Sequence, residues 1–239
     1  TVLSLLTRHW QSMKPIRKLS NMIELLNTDC MDYMRGLEDN AFDLAIVDPP
    51  YGIDAANTFS GVERKSGQGV GYKTAFAAKD WDKGIPDKPY FIELMRVSRN
   101  QIVWGANYMS HLLPPSMGWI VWDKDNGTTK FSDAELAFSS FDRALRIHKY
   151  TWNGMIQGDM KNKELRIHPT QKPVKLYEWL LKNYAKEGDR ILDTHLGSGS
   201  SAIAAHYGGF DFVGCELDED YFNAAQKRFD SETRQVAMF

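Results

Sequence analysis

Short, nearly continuous apolar runs punctuate the chain at Met22–Leu26, Phe42–Val47, Gln101–Trp104, Trp119–Trp122, Glu135–Ser139, Arg190–Leu192 and Phe212–Cys215. Runs of this length predict strands, and the weak alternation in Phe42–Val47 predicts a sheet covered on both faces. Between them the apolar positions recur at helical spacing. Lys88–Arg99 carries Phe91, Leu94, Met95 and Val97. Residues 173–186 open with Pro173, suited to a first helical turn, and stop before Gly188. Gly199–Tyr207 and Asp218–Phe229 predict two more helices. Strands alternating with helices at both ends of the chain predict an α/β fold, helices on both faces of a mostly parallel sheet. Residues 142–172 have only weak periodicity. Residues 52–80, rich in Gly, Ser, Lys and Asn, exceed a routine connection and predict a loop that is functional or mobile. Residues 1–20 hold Arg8, Lys14, Arg17 and Lys18 without an acid and read as a basic arm, leaving 21–239 as one domain.

Composition narrows the class. With 239 residues, 43% apolar and 25% charged, the chain is an ordinary globular protein, not a disordered, fibrous or disulfide-bonded one. Lys plus Arg is 29 against 31 acids, so any basic face is local. Cys30 and Cys215 lie far apart and outside any metal-ligand spacing, so reduced thiols and no metal are expected. No apolar run approaches a membrane span and no secretory leader is evident, which predicts a soluble, cytoplasmic protein.

Four motifs carry candidate chemistry. Asp48-Pro49-Pro50-Tyr51 follows the buried Phe42–Val47 run, where ligands of open α/β sheets bind. The two prolines stiffen the turn and remove donors. The Asp48 carboxylate and the Pro49 carbonyl can then accept both hydrogens of one planar amine, and Tyr51 can stack on a flat ring. An exocyclic amine of adenine or cytosine is a poor nucleophile because its lone pair is delocalised. Two aimed acceptors free that pair for in-line attack.

Asp193-Thr194-His195-Leu196-Gly197-Ser198-Gly199-Ser200 joins a strand to a helix, its glycines allowing close backbone approach to a ligand. Glu216, followed by Leu217, ends the next strand and can hold ribose hydroxyls. No third glycine and no Walker lysine follow, which favours a nucleoside cofactor without a pyrophosphate. His168-Pro169-Thr170-Gln171-Lys172-Pro173 opens a helix, where Thr170 and free amides can receive a carboxylate. Asp29, beside Cys30, can accept from a cofactor amine or cap a helix.

Together these motifs resemble the amino-group DNA methyltransferases that use S-adenosylmethionine, across roughly residues 20–230. Residues 48–51 and 168–173 match completely. The glycine motif departs: the family's usual Asp-Pro-Phe-x-Gly-Ser-Gly-Thr has Thr194 for Pro, His195 for Phe and Ser200 for Thr. The order of motifs resembles the β-type, a circular permutation that starts the chain at the third strand of a Rossmann-like sheet. The resemblance implies a cofactor site of Asp29, Cys30, Asp48, Thr170, Gln171, Lys172, Asp193, His195, Gly197, Ser198, Gly199, Ser200, Glu216 and Leu217. Within it Asp193, Gly197 and Gly199 line the methionine end, Thr170 and Lys172 approach the carboxylate, Glu216 meets the ribose and Asp29 the adenine. Asp48, Pro49, Pro50 and Tyr51 act on a base flipped from double-stranded DNA.

Asp48 leans to adenine N6 as acceptor, since the family's cytosine-N4 enzymes more often carry Ser there. Cytosine N4 remains the alternative, as does an inactive DNA-binding module of the same fold, to which His195 draws attention. A role in restriction-modification and a homodimer are compatible expectations. From Arg143 to Lys175 there are eight basic residues and two acids, with Tyr150 and Trp152 interleaved. The 142–167 part of this segment lies where the family recognises DNA, and Arg143, Arg146, Lys149, Lys161, Lys163 and Arg166 are expected at phosphates.

Overall fold

The apolar runs become strands of one sheet. The computed structural model describes residues 21–55, 79–127, 132–153 and 156–234, so the basic arm and most of the 52–80 loop lie outside the described residues. In chain order the elements are β1 (Ile23–Asn27), α1 (Cys30–Arg35), β2 (Phe42–Val47), α2 (Lys88–Val97), β3 (Ser98–Trp104), a 3-10 turn (Ser110–Leu112), β4 (Ile120–Asp123), β5 (Ala134–Ser139) and β6 (Arg146–Lys149). There follow β7 (Trp152–Asn153), β8 (Ile156–Gln157), α3 (Val174–Tyr184), β9 (Arg190–Asp193), α4 (Ser200–Gly208), β10 (Asp211–Glu216) and α5 (Glu219–Thr233).

Eight strands form a mostly parallel sheet in the order β1-β10-β9-β2-β3-β5-β4-β6, with β7 and β8 as a separate antiparallel pair. The last two strands of the chain insert between its first two. The register sets Asn27 opposite Glu216 and Gly214 opposite Asp193. The carboxyl ends of β1, β10, β9 and β2 therefore share one edge, with Asp29, Glu216, Asp193 and Asp48 along it. Only β5 runs antiparallel to its neighbours β3 and β4.

Helices cover both faces, as expected. Leu44, Ile46, Ile102, Trp104 and Trp122 point into a core closed by Leu176, Tyr177 and Leu180 of α3 and Ala202 of α4. Ala45, Val47, Val103 and Leu192 point the other way, against Met34 of α1 and Phe91 and Leu94 of α2. Trp104 and Trp122 are fully buried core residues.

The junction of α2 with β3 and the 142–172 stretch differ most from the sequence expectation. Helix α2 stops at Val97 because Ser98 is already extended and its hydroxyl takes the Leu94 carbonyl at 2.5 Å. The chain enters β3 without a loop. The weakly periodic 142–172 stretch contains β6, β7 and β8, too short to show a period.

A buried ion pair locks the glycine loop to the helices. Arg228 of α5 donates to Glu164 Oε2 at 2.7 Å, to the Ser198 carbonyl at 3.0 Å and to Ser200 Oγ at 2.9 Å. Glu164 Oε1 accepts the Val174 amide at 3.0 Å, capping α3. Removing one partner of such a pair strands the other charge. Arg228→Met is expected to cost about 3–5 kcal/mol in urea unfolding. Adding Glu164→Gln is expected to recover part of that loss, because no carboxylate is then left unpaired.

Candidate active site

Asp48 leaves β2 and enters a cluster of charges. Lys172 Nζ donates to Asp48 Oδ2 at 2.5 Å and lies 3.0 Å from Glu135 Oε2. Tyr51 Oη donates to Asp48 Oδ1 at 2.6 Å and meets Glu135 Oε2 at 3.3 Å. Lys124 Nζ closes the cluster on Glu135 Oε1 at 2.5 Å. Glu135 and Lys124 arrive through the antiparallel return: β5 starts, and β4 ends, at the edge where the parallel strands end.

Burial pushes the Asp48 carboxyl up, while the Lys172 ammonium pulls it down and Glu135 adds to the rise. Burial also works against ionising Glu135, yet Lys172 and Lys124 overcome it and hold that carboxyl at about 2. The Lys172 ammonium, only 4% exposed, is held above its ordinary value against burial by Asp48 and Glu135.

The turn itself is clamped from beneath. Asp82 Oδ1 accepts the Tyr51 and Gly52 amides at 2.7 and 2.9 Å, and its Oδ2 accepts the Ala55 amide at 2.8 Å. The Tyr51 ring stacks on Tyr108 with centroids 5.2 Å apart. Gly105, at φ +65°, makes room for it: a Cβ there would fall 2.0 Å from the ring. Sequence reasoning missed Asp82, Gly105, Tyr108, Lys124 and Glu135.

One cavity of about 630 Å³ joins the motifs. Asp48, Pro50 and Lys172 line one end, and Asp29, Cys30, Glu216 and Leu217 line another, with Thr170, Gln171, His195, Gly197 and Ser198 in the wall. Asp193, Gly199 and Ser200 lie behind it. Asp193 accepts the Ser201 hydroxyl at 2.6 Å and the His195 amide at 3.0 Å, so it shapes the loop from below. Burial raises its carboxyl to about 7. Gly199 turns at φ +74°, with Ala225 packed 3.4 Å from where a Cβ would sit. Glu216 accepts the Gly197 and Asp218 amides at 2.9 and 3.0 Å, and Asp29 Oδ1 caps α1 through the Met31 amide at 2.7 Å.

Three placements depart from expectation. Lys172 does not reach for a ligand carboxylate, because the half-buried carboxylates Asp48 and Glu135 hold it. The first amide of α3 is not free, because Glu164 caps it. Gln171 lines the cavity, but its side-chain amide is committed to the Ile167 N–H and the Leu165 carbonyl at 2.9 and 3.3 Å, so it braces the loop rather than offering that amide to a ligand.

The basic segment does not present one face. Arg166 is half-buried over Trp152 and donates to the Pro169 carbonyl at 3.1 Å, and Arg143 donates to the Asn183 carbonyl at 2.9 Å over the Tyr184 ring. Lys149 pairs with Asp125 at 2.8 Å. Arg146, Lys161 and Lys163 are exposed.

Burial drives both cavity histidines below their ordinary value, His168 to about 3 and His195 to about 4. Unfolding lets each take a proton below about pH 6.5. The stability they contribute above that pH is lost as pH falls toward 4. Asp193, protonated in the fold below about 7, acts in the opposite sense. His168→Asn is expected to lose less stability than the native protein between pH 7 and 5, read as Tm against pH.

The comparisons with known proteins agree with this geometry. A family model described as DNA methylase, covering N6 and N4 enzymes, matches residues 141–227. The type II methyltransferase M2.DpnII of Streptococcus pneumoniae is 25% identical over 92% of this chain and 93% of its own. M.HpaI of Haemophilus parainfluenzae is 26% identical over 87% of this chain and 74% of its own. Among solved structures, the M1.HpyAVI–SAM complex superposes with a TM-score of 0.54 at 20% identity, over 87% of this chain and 100% of that one. With the Asp48 turn, the glycine loop and Glu216 gathered on one cavity, the chain is similar to the N6/N4 DNA methylases over residues 141–227 and to type II methyltransferases over most of its length.

Proposed function

We propose that the protein methylates the exocyclic N6 amine of adenine in DNA, with S-adenosylmethionine as donor. The single observation that carries this reading is the continuous cavity, which has Asp48 and Pro50 at one end and Asp29 and Glu216 at another. A donor and an acceptor entering by different ends would meet beside Asp48. The type II relatives support a restriction-modification role, and the motif order supports the permuted, β-type arrangement within residues 21–239.

The cavity suits the cofactor. Its volume fits a ligand of nucleoside size. Asp29 and Glu216 offer carboxylate acceptors for an amine and for ribose hydroxyls. Gly197, at φ +51°, brings bare backbone to the wall opposite His168. Uncharged at neutral pH, His195 presents a flat ring set edge-on to Tyr90 with centroids 5.4 Å apart. When bound, S-adenosylmethionine supplies an electrophilic methyl group on a sulfonium sulfur.

This chain's own groups then prepare the acceptor. Asp48 and the Pro49 carbonyl accept the two N–H bonds of the target amine, which makes its nitrogen more tetrahedral and frees the lone pair. The N–C bond forms as the methyl–sulfur bond breaks, the neutral thioether is the leaving group, and the nitrogen, made cationic, then passes one proton to Asp48 or to water. Tyr51 and Tyr108 offer stacking surface for a base that has left the duplex, at a cost of a few kcal/mol. Transfer is direct: burial pushes the Cys30 thiol up to about 12 and raises Cys215 as well, so neither is a thiolate nucleophile. Asp48 favours adenine over cytosine N4 as the acceptor. The intact Asp48–Tyr51 turn and its buried support favour an enzyme over an inactive binding module.

The test is incubation with S-adenosylmethionine and unmethylated DNA, followed by mass spectrometry of the nucleosides. N6-methyladenine is expected; N4-methylcytosine would reassign the base, and no product despite cofactor binding would refute the reading. Asp48→Asn is expected to lower turnover at least 10²–10³-fold, roughly the cost of removing an aimed transition-state group, while the cofactor Kd stays within a few-fold of native.

Lys161 and Lys163, exposed on the 142–167 segment, are the phosphate contacts we favour. Changing both to Glu is expected to weaken DNA binding and to lower the slope of log K against log salt by roughly 2. An unchanged slope in a fluorescence titration would remove them from the interface.

A further inference from the structure

We infer that Glu135 is a positioning residue that draws the Lys172 ammonium and the Tyr51 hydroxyl away from Asp48 when the target amine docks. This rests on the proposed reaction and deepens it. Both Asp48 oxygens are occupied by the protein's own donors, Lys172 at 2.5 Å and Tyr51 at 2.6 Å. A carboxylate paired with an ammonium and a hydroxyl in this way is a weakened acceptor for an amine, although each oxygen keeps a lone pair. Each of the two donors already has the same second acceptor within reach: Glu135 Oε2 lies 3.0 Å from Lys172 Nζ and 3.3 Å from Tyr51 Oη. Releasing Asp48 requires each donor to move by about an ångström, out of hydrogen-bond range of one carboxylate and onto the other, and no charge has to leave the site.

Glu135 is built for that exchange. Lys124 fixes its other oxygen at 2.5 Å, so Oε2 stays aimed at the donors. The cluster holds two carboxylates and two ammoniums, and it remains neutral whichever carboxylate Lys172 favours. The other titratable groups facing Asp48 are Tyr177 of α3 and Asp193 at the end of β9. Besides Asp48, Lys172 Nζ donates to Tyr51 Oη at 3.0 Å, and Glu135 is the one other carboxylate in contact with the ammonium among the described residues.

Charge on Glu135 also bears on the acidity of Asp48. The neighbouring carboxylate raises the Asp48 carboxyl, so neutralising it lets Lys172 settle on Asp48 and lowers that carboxyl. Two effects follow in Glu135→Gln. Turnover falls, because Asp48 no longer releases its donors. The acid limb of kcat/KM moves to lower pH, because Asp48 stays ionised further into acid.

The experiment measures kcat and kcat/KM from pH 5 to 9 for the native protein, Glu135→Gln and Glu135→Asp, with cofactor Kd and thermal unfolding alongside. The expected result for Glu135→Gln is a 10–100-fold lower kcat, an unchanged cofactor Kd and an acid limb shifted down. Glu135→Asp keeps the charge; it is expected to leave the limb at its native pH and to recover part of the turnover. Native turnover in a folded Glu135→Gln, or lost turnover with an unmoved limb, would overturn the inference. If Glu135→Gln fails to fold, Glu135→Asp with a displaced limb does the same. A native protein that methylates no base overturns the proposed function, and this inference with it. An active native protein with an indifferent Glu135 overturns the inference alone.

Discussion

An ammonium with almost no access to water must be paired, and in this molecule the pairing organises the active end of the sheet. Lys172 lies between Asp48 and Glu135, and both carboxylates need it, since burial disfavours their charges as well. Taking such groups out of water costs several kcal/mol per ion, and attraction offsets that only when every remaining donor and acceptor is satisfied. Tyr51 and Lys124 complete that satisfaction. The β2 turn, the start of β5, the end of β4 and the segment leading into α3 are held to one another by this cluster, and none of them can move far without exposing an unpaired charge.

The same constraint explains the surroundings. Tyr51 reaches Asp48 only because Gly105 leaves the space that a side chain would fill, and because Asp82 holds the backbone of the turn from below. Topology supplies the rest. Parallel strands deliver Asp29, Asp48, Asp193 and Glu216 to one edge, as open α/β sheets do. The single strand that runs the other way, β5, brings a carboxylate to that edge from its amino end. A fully parallel sheet would have placed Glu135 on the opposite side of the molecule.

Much of this was legible in the residues. The strands were visible as local apolar runs, and Phe42–Val47 matched β2 at both ends, because burial on two faces leaves Asp43 as its one polar position. The motif turns were visible because prolines and glycines are rare and positional. What could not be read depended on distance in sequence. Glu135 sits in an ordinary strand, and nothing local separates it from a solvent-facing acid. Lys172 was visible within its motif, but its partner Asp48 lies 124 positions away. Arg166 counted toward a basic segment, while its half-buried seat over Trp152 depends on a fold that charge counting does not see. Helix α1 and the strands β6 to β8 are shorter than the window in which periodicity appears.

Two of the three departures in the glycine motif become intelligible as a pair. His195 stands where the family usually has Phe, and a charged or loosely held imidazole there would disturb an apolar wall. Burial keeps it neutral. Thr194 stands where the family has Pro, and its hydroxyl meets His195 Nδ1 at 2.9 Å and the Tyr90 hydroxyl at 2.7 Å. Proline has no group that could do this. The residue that replaces Pro therefore orients the ring that replaces Phe, and Tyr90 of α2 anchors both. A site decaying toward inactivity would accumulate polar groups without partners. Here the two substitutions satisfy each other, and Tyr90 holds both.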